Sequence, residues 1–150
     1  MKTFNRKTKG FSLVELLVVI AIIGILMTIF GFRLNTTRNK GKDAAIKIAL
    51  LEIRNAAGLY KYPLSQDSYD GVCDDSDETL SNDGDFGKIE ESIINNGGRV
   101  KCKDAVTAYA VISSLNLGDC WCVDSQGNSK KVEISGSETC EDKLTETFCP

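Results

Sequence analysis

The chain has 150 residues, six cysteines, no histidine and a net charge of −3, enough for one small domain beside one long helix. The first ten residues carry four bases and no acid, which leaves fourteen basic against twenty-one acidic residues, −7, in the remainder. That acidity argues against generic nucleic-acid binding. The missing histidine removes the commonest general base, and no serine or cysteine has an evident activating partner, so no enzyme activity is expected.

Lys2, Arg6, Lys7 and Lys9 form a cationic leader over residues 1–10, of the kind retained in the cytoplasm. From Phe11 to Phe32 the chain is apolar except for Glu15 and a few small or hydroxylated residues. As a helix such a run reaches ~33 Å, which predicts a transmembrane segment over 11–32. A secretory signal would have a shorter apolar core followed by a small-residue cleavage site, and the end of this run, Met27-Thr28-Ile29-Phe30-Gly31-Phe32, has no such site. The small residue, Gly10, stands before the run instead. A carboxylate in that run costs roughly 2.5–3.5 kcal/mol. The helix dipole returns at most ~1 kcal/mol in the first turn, so Glu15 calls for a cationic partner.

Lys9-Gly10-Phe11-Ser12-Leu13-Val14-Glu15, followed by the apolar run to Leu26, resembles the class III signal of type IV pilins and type II secretion pseudopilins. The resemblance implies that a prepilin peptidase cuts after Gly10 and that Phe11, the new amino terminus, is N-methylated. It further implies that Glu15 pairs with the terminal amine of a neighbouring subunit during filament assembly. A buried pair of that kind adds little net stability but penalises wrong alignments, so its expected contribution is register.

Basic residues follow the apolar run as well as precede it (Arg33, Arg38, Lys40, Lys42), so charge alone does not orient the segment. The cysteines do. Cys73, Cys102, Cys120, Cys122, Cys140 and Cys149 all lie on the carboxyl side, and an even number in a small exported domain reads as disulfides, with fifteen connectivities open. Cys73 and Cys102 flank a connector and are the pair expected to tie it to the head. Cys120 and Cys122 point to one face of their strand and are expected to join Cys140 and Cys149 in an order left open. Zinc is disfavoured, because the one close pair, Cys120-Trp121-Cys122, has a one-residue spacer and no histidine is present.

Residues 33–62 continue as the amphipathic half of one helix spanning roughly 11–61. Ala45, Ala49, Ile53, Ala56 and Tyr60 mark its apolar face, and Ile46, Leu50 and Ala57 widen it. Asp43 and Lys47 are spaced as an i,i+4 pair on its polar side. Residues 63–150 then form the head. Its first part, 63–104, reads as an irregular acidic connector punctuated by Pro63, Asp70-Gly71, Asp83-Gly84 and Gly97-Gly98, with a short helix near 85–95. Strands are predicted at 106–112, 120–123 and 131–134, with a hairpin turn over 125–128. The fold class is therefore α+β: a long amino-terminal helix packed on a small antiparallel β-meander, similar to the pilin head.

The connector's acids invite a calcium reading, for which Asp74, Asp75 and Asp77 are the weak candidates. No window fits a calcium-binding loop, since one started at Asp75 has Leu80 where glycine is needed. The expectation is no cofactor, and a solvated acidic loop. Tyr62, Tyr69 and Trp121 are expected to pack against the head. The functional expectation is a filament subunit: a type IV pilin, with a type II secretion pseudopilin as alternative and a membrane-anchored binding protein that never polymerises behind both. Its implied partners are further copies and related pilin subunits, the prepilin peptidase, the inner-membrane assembly machinery and the membrane. It would reside in the inner membrane before assembly and in an extracytoplasmic or surface filament after it.

Overall fold

The apolar run becomes helix only from Leu13. In the computed structural model, which describes residues 10–31, 34–61, 68–74, 76–82 and 84–150, α1 spans Leu13–Gly31 and α2 spans Leu34–Lys61. Residues 32–33, where the sequence predicts unbroken helix, lie outside the described residues, as does Tyr62. The chain divides into two compact units after Thr37.

In the first unit, α1 is apolar on every side, and every described side chain from Phe11 to Thr28 is exposed. Its 19 residues rise ~28 Å in all, slightly less than a ~30 Å hydrocarbon core. Among the described residues no helix is long and apolar enough to cross a membrane. Of the expected segment over 11–32, Phe11 and Ser12 precede the helix, and Phe32 lies outside the described residues.

In the second unit, α2 buries Ile46, Ala49, Leu50, Ile53 and Ala57, whereas Ala45, Ala56 and Tyr60 sit at the margin. The apolar stripe is therefore centred one side of the predicted line. Asp43 corrects the sequence reading. It is buried at 5% exposure, and its Oδ1 accepts from both the backbone N (2.7 Å) and the Nδ2 (2.8 Å) of Asn116. Lys47 lies over the Trp121 ring, 4.3 Å from its centroid.

A small hairpin pairs β1 (Cys73–Asp74) with β2 (Thr79–Leu80), followed by α3 (Phe86–Asn95), which buries Phe86, Ile89 and Ile93. The main sheet is an antiparallel meander in the order β3 (Val100–Ala105), β4 (Ala108–Ser114), β5 (Cys120–Asp124), β6 (Ser129–Val132). It has one strand more than predicted. β3 escapes a sequence reading because Lys101 and Lys103 flank its one fully buried residue, Cys102. Lysines on an outer strand discourage pairing with another chain. Val106 and Thr107, predicted as strand, form the turn between β3 and β4, and β6 begins two residues earlier than predicted.

The sheet is buried on both faces. Cys102, Val111 and Val123 align across β3–β5 and meet α2 and α3 in one core, to which Tyr109 also belongs. Alternate residues Ala110, Ile112, Cys120, Cys122 and Val132 point the other way, into a second core closed by Cys140, Leu144 and Cys149 of the carboxyl-terminal tail. Five consecutive buried positions in β4 record this double covering. The tail's short helix α4 (Cys140–Lys143) opens on a reciprocal cap between Thr139 and Asp142. Gly98 admits no side chain, because a Cβ there would lie 2.7 Å from both Ile93 Cγ2 and Ser113 Oγ.

Candidate assembly site and the clamps of the head

Gly10, Phe11 and Ser12 are exposed and non-helical, so the bond between Gly10 and Phe11 lies outside the helix. Ser12 stands at the helix N-cap. Its backbone N donates to Glu15 Oε2 at 3.1 Å, and its carbonyl accepts from Leu16 N at 3.3 Å. Ser12-Leu13-Val14-Glu15 is thus half of a capping box, a signal present in the sequence but passed over in reading the glutamate only as a charge. The cap satisfies one orphan N–H of the first turn and aims the carboxylate toward the chain's amino-terminal side. Phe11 is 80% exposed, and Glu15 is exposed as well. Both groups are therefore free to engage another molecule.

All six cysteines are bonded: Cys73 to Cys102, Cys120 to Cys140 and Cys122 to Cys149. The first staples the β1–β2 hairpin to β3. There Glu78, at φ 57°, donates its strained backbone to a tight turn while its carboxylate bridges Lys101 (2.8 Å) and Lys103 (3.3 Å). Those two ammonium groups hold the Glu78 carboxyl below its ordinary value. The other two disulfides fasten the tail over the sheet's second face.

Two of the calcium candidates, Asp74 and Asp77, accept hydrogen bonds within their own turn. Asp74 Oδ1 accepts from Ser76 N and Oγ, and Asp77 Oδ1 from Thr79 N and Oγ1. Asp75 lies outside the described residues, among which no cluster of three or more acidic, cysteine or histidine side chains could hold a metal ion. Tyr69 packs edge-on against Tyr109 with centroids 5.0 Å apart, and Trp121 donates from Nε1 to Ser129 Oγ. Burial pushes the Tyr109 phenol up to about 12, against the pull of nearby Arg54.

Sequence reasoning missed Asp124, which ends β5 and is fully buried. Its Oδ1 accepts from Gln126 N (3.0 Å) and Asn128 N (2.9 Å), and its Oδ2 from Asn128 Nδ2 (2.7 Å) and Cys149 N (3.0 Å). One side chain therefore ties the β5–β6 turn to the end of the tail. The available signal was an aspartate entering a turn, Asp124-Ser125-Gln126-Gly127-Asn128, a position that favours side-chain bonds to following N–H groups. Burial alone would raise this carboxyl, but the hydrogen bonds from Asn128, Cys149 and Gln126 outweigh it and hold the group below its usual value. A depressed folded-state value stabilises the head above the unfolded value of ~3.9, and that contribution is lost as pH falls through the folded value. Asp124→Ala should cost on the order of 3 kcal/mol at pH 7 by leaving buried donors unmet. Denaturation of wild type and variant should show that gap narrowing as pH drops below ~4. A gap independent of pH would remove the carboxylate from the explanation.

Compared with known proteins, residues 5–31 match the family model described as the prokaryotic N-terminal methylation motif. No curated protein and no solved structure matches the chain. The match spans the end of the basic leader, Gly10, Phe11, the capped glutamate and the whole of α1. This chain carries the prepilin-type amino-terminal methylation motif of type IV pilins and pseudopilins.

Proposed function

We propose that the protein is a structural subunit of a type IV pilus-like filament, made as a precursor anchored in the inner membrane and assembled through its amino-terminal helix. The observation that carries this reading is the motif itself: an exposed, non-helical Gly10–Phe11 bond followed by a capped Glu15 and a helix apolar on every side. An all-apolar helix is stable only when lipid or other helices cover it, and a filament of copies supplies both covers in turn. Peptidase cleavage creates an amine at Phe11, the cation that Glu15 of a neighbouring copy would meet. The head, closed by three disulfides, suits an oxidising exterior.

A pseudopilin of type II secretion uses the same motif, and the short acidic head favours it. The doubly fastened tail favours a subunit exposed at the cell surface. Imaging cells with and without the gene for long surface filaments separates the two.

Processing supplies the first test. Intact-mass measurement of assembled protein should find a chain beginning at Phe11 and carrying one added methyl group on its amine. Met1 retained in assembled material, or a cut after Phe32, would overturn the reading.

A further inference from the structure

The outward face of α2 bears a second apolar seam that the head does not use. Gly41, Ala44, Ile48, Leu51 and Asn55 are exposed and Gly58 is half-buried, and together they alternate in steps of three and four over more than two heptads. Ile48 is 59% and Leu51 41% exposed, with Leu59 beside them at 72%. Eight charged residues lie on α2, and none falls in this frame. Gly41 and Gly58 each weaken a helix relative to alanine. A Cβ at either position would meet nothing within 4 Å. Packing inside the head therefore does not explain them; close approach of a second helix does.

We infer that this seam pairs with the same seam of a second copy, in parallel, to form an α2–α2 dimer. Three observations choose that occupant. Asn55 falls at an a-type position, where a lone asparagine specifies register in parallel two-stranded pairs. Lys47 and Glu52 fall at the flanking g and e positions, five residues apart, the spacing at which a parallel partner brings opposite charges together. The half-buried Lys47 ammonium, over its own Trp121 ring in the single chain, would exchange that contact for the partner's carboxylate. The seam also offers only two large apolar side chains, Ile48 and Leu51, a small contact that suits a copy held beside it in the same membrane at high effective concentration. The parallel orientation rests on the anchored-precursor reading above. A two-fold contact of this kind closes on itself and does not propagate. The dimer is therefore a pairing of membrane-held subunits and not the filament lattice.

The test uses the full chain in cells, with the photocrosslinking residue p-benzoylphenylalanine at position 48 and, as a control on the edge strand β6, at the exposed Lys130. Position 48 should yield a covalent homodimer joined to residues 41–58 of the second copy by peptide mass analysis, and position 130 should not. Adding Leu51→Glu should lower the dimer yield about tenfold or more, and Asn55→Ile should keep the yield but admit cross-links out of register. Intact mass and non-reducing mapping of each variant should show unchanged processing after Gly10 and intact disulfides, so a failure of the dimer is distinct from a failure of the filament reading. Equal cross-linking from 48 and 130, no dimer at 48, or capture of lipid, another protein or residues 13–28 of a second copy would each overturn the inference. So would a dimer indifferent to Leu51→Glu.

Discussion

Filament assembly should be lost, and processing kept, when Glu15 is replaced by glutamine. The two groups differ in charge but scarcely in size, and glutamine serves as well as glutamate at the third position of a capping box. The bond from Ser12 N to the side-chain oxygen of residue 15, 3.1 Å in the native chain, therefore survives. Insertion of the helix should be no worse, since an uncharged amide costs less in an apolar setting than a carboxylate. The exposed Gly10–Phe11 bond is untouched, so the peptidase should cut as before. What disappears is the counter-charge for the Phe11 amine of the next subunit, and with it the penalty on misaligned packing. Sheared surface material should hold less than about a tenth of the wild-type subunit, with membrane-bound processed chain accumulating in its place. Glu15→Ala separates the two contributions of the side chain, because it removes cap and charge together and should also fray the first turn by about 1 kcal/mol. Glu15→Gln that is processed and assembles at full yield would make the glutamate a helix cap and nothing more.

The assembly segment was legible because its information is local. Gly10, Phe11 and Glu15 are read from neighbours in sequence, as is the Ser12 cap once the S-x-x-E spacing is noticed. In the head the elements α3, β4 and β5 were legible from local pattern, but the face that each one buries was legible only where the other face is wet. α3 showed its face through Phe86, Ile89 and Ile93, all buried as their spacing predicts. β4 did not, because both of its faces are covered and Tyr109 to Ser113 are buried without alternation. β3 was hidden by the opposite fault: Lys101 and Lys103 surround Cys102, so a strand reads as a polar loop. Asp43 and Asp124 look like surface acids until the chain brings in Asn116, 73 residues away, and Cys149, 25 residues away. Nothing near either aspartate in sequence announces those partners. The pairing within the last four cysteines was closed to spacing arguments for a related reason. Cys120 and Cys122 share one face, so either can reach a tail that crosses it, and only the path of the tail orders them.

That path makes the two tail disulfides unequal, although loop length alone would rank them together. Cys120–Cys140 closes 20 residues and Cys122–Cys149 closes 27, and the chain-entropy model assigns each about 3–4 kcal/mol taken singly. The two loops interleave and share neighbouring anchors on β5, so with one bond cut the other still confines most of the tail. Each single removal should therefore cost less than that figure. Removing Cys122 and Cys149 nevertheless costs more than removing Cys120 and Cys140. Without the 122–149 bond, residues 144–150 lose their covalent tie to the sheet, the polar contacts of Glu141, Asp142 and Lys143 hold only the start of the tail, and the Cys149 N–H loses its fixed position against Asp124 Oδ2. Without the 120–140 bond the tail remains pinned at both ends of its course, with Leu144 still seated in the second core. Chemical denaturation of the full chain in detergent should place Cys122→Ala/Cys149→Ala about 2–3 kcal/mol below wild type and Cys120→Ala/Cys140→Ala about 1 kcal/mol below. Removal of all four should exceed the sum of the two, because only then is the tail free to leave Ala110, Ile112 and Val132 uncovered. Hydrogen exchange supplies the independent readout: the 122–149 variant should lose protection in the tail first and in β5 afterwards. Equal losses for the two pairs, or strict additivity in the quadruple variant, would show that the tail is a passive cover and that its path over the sheet contributes nothing to closing the second core.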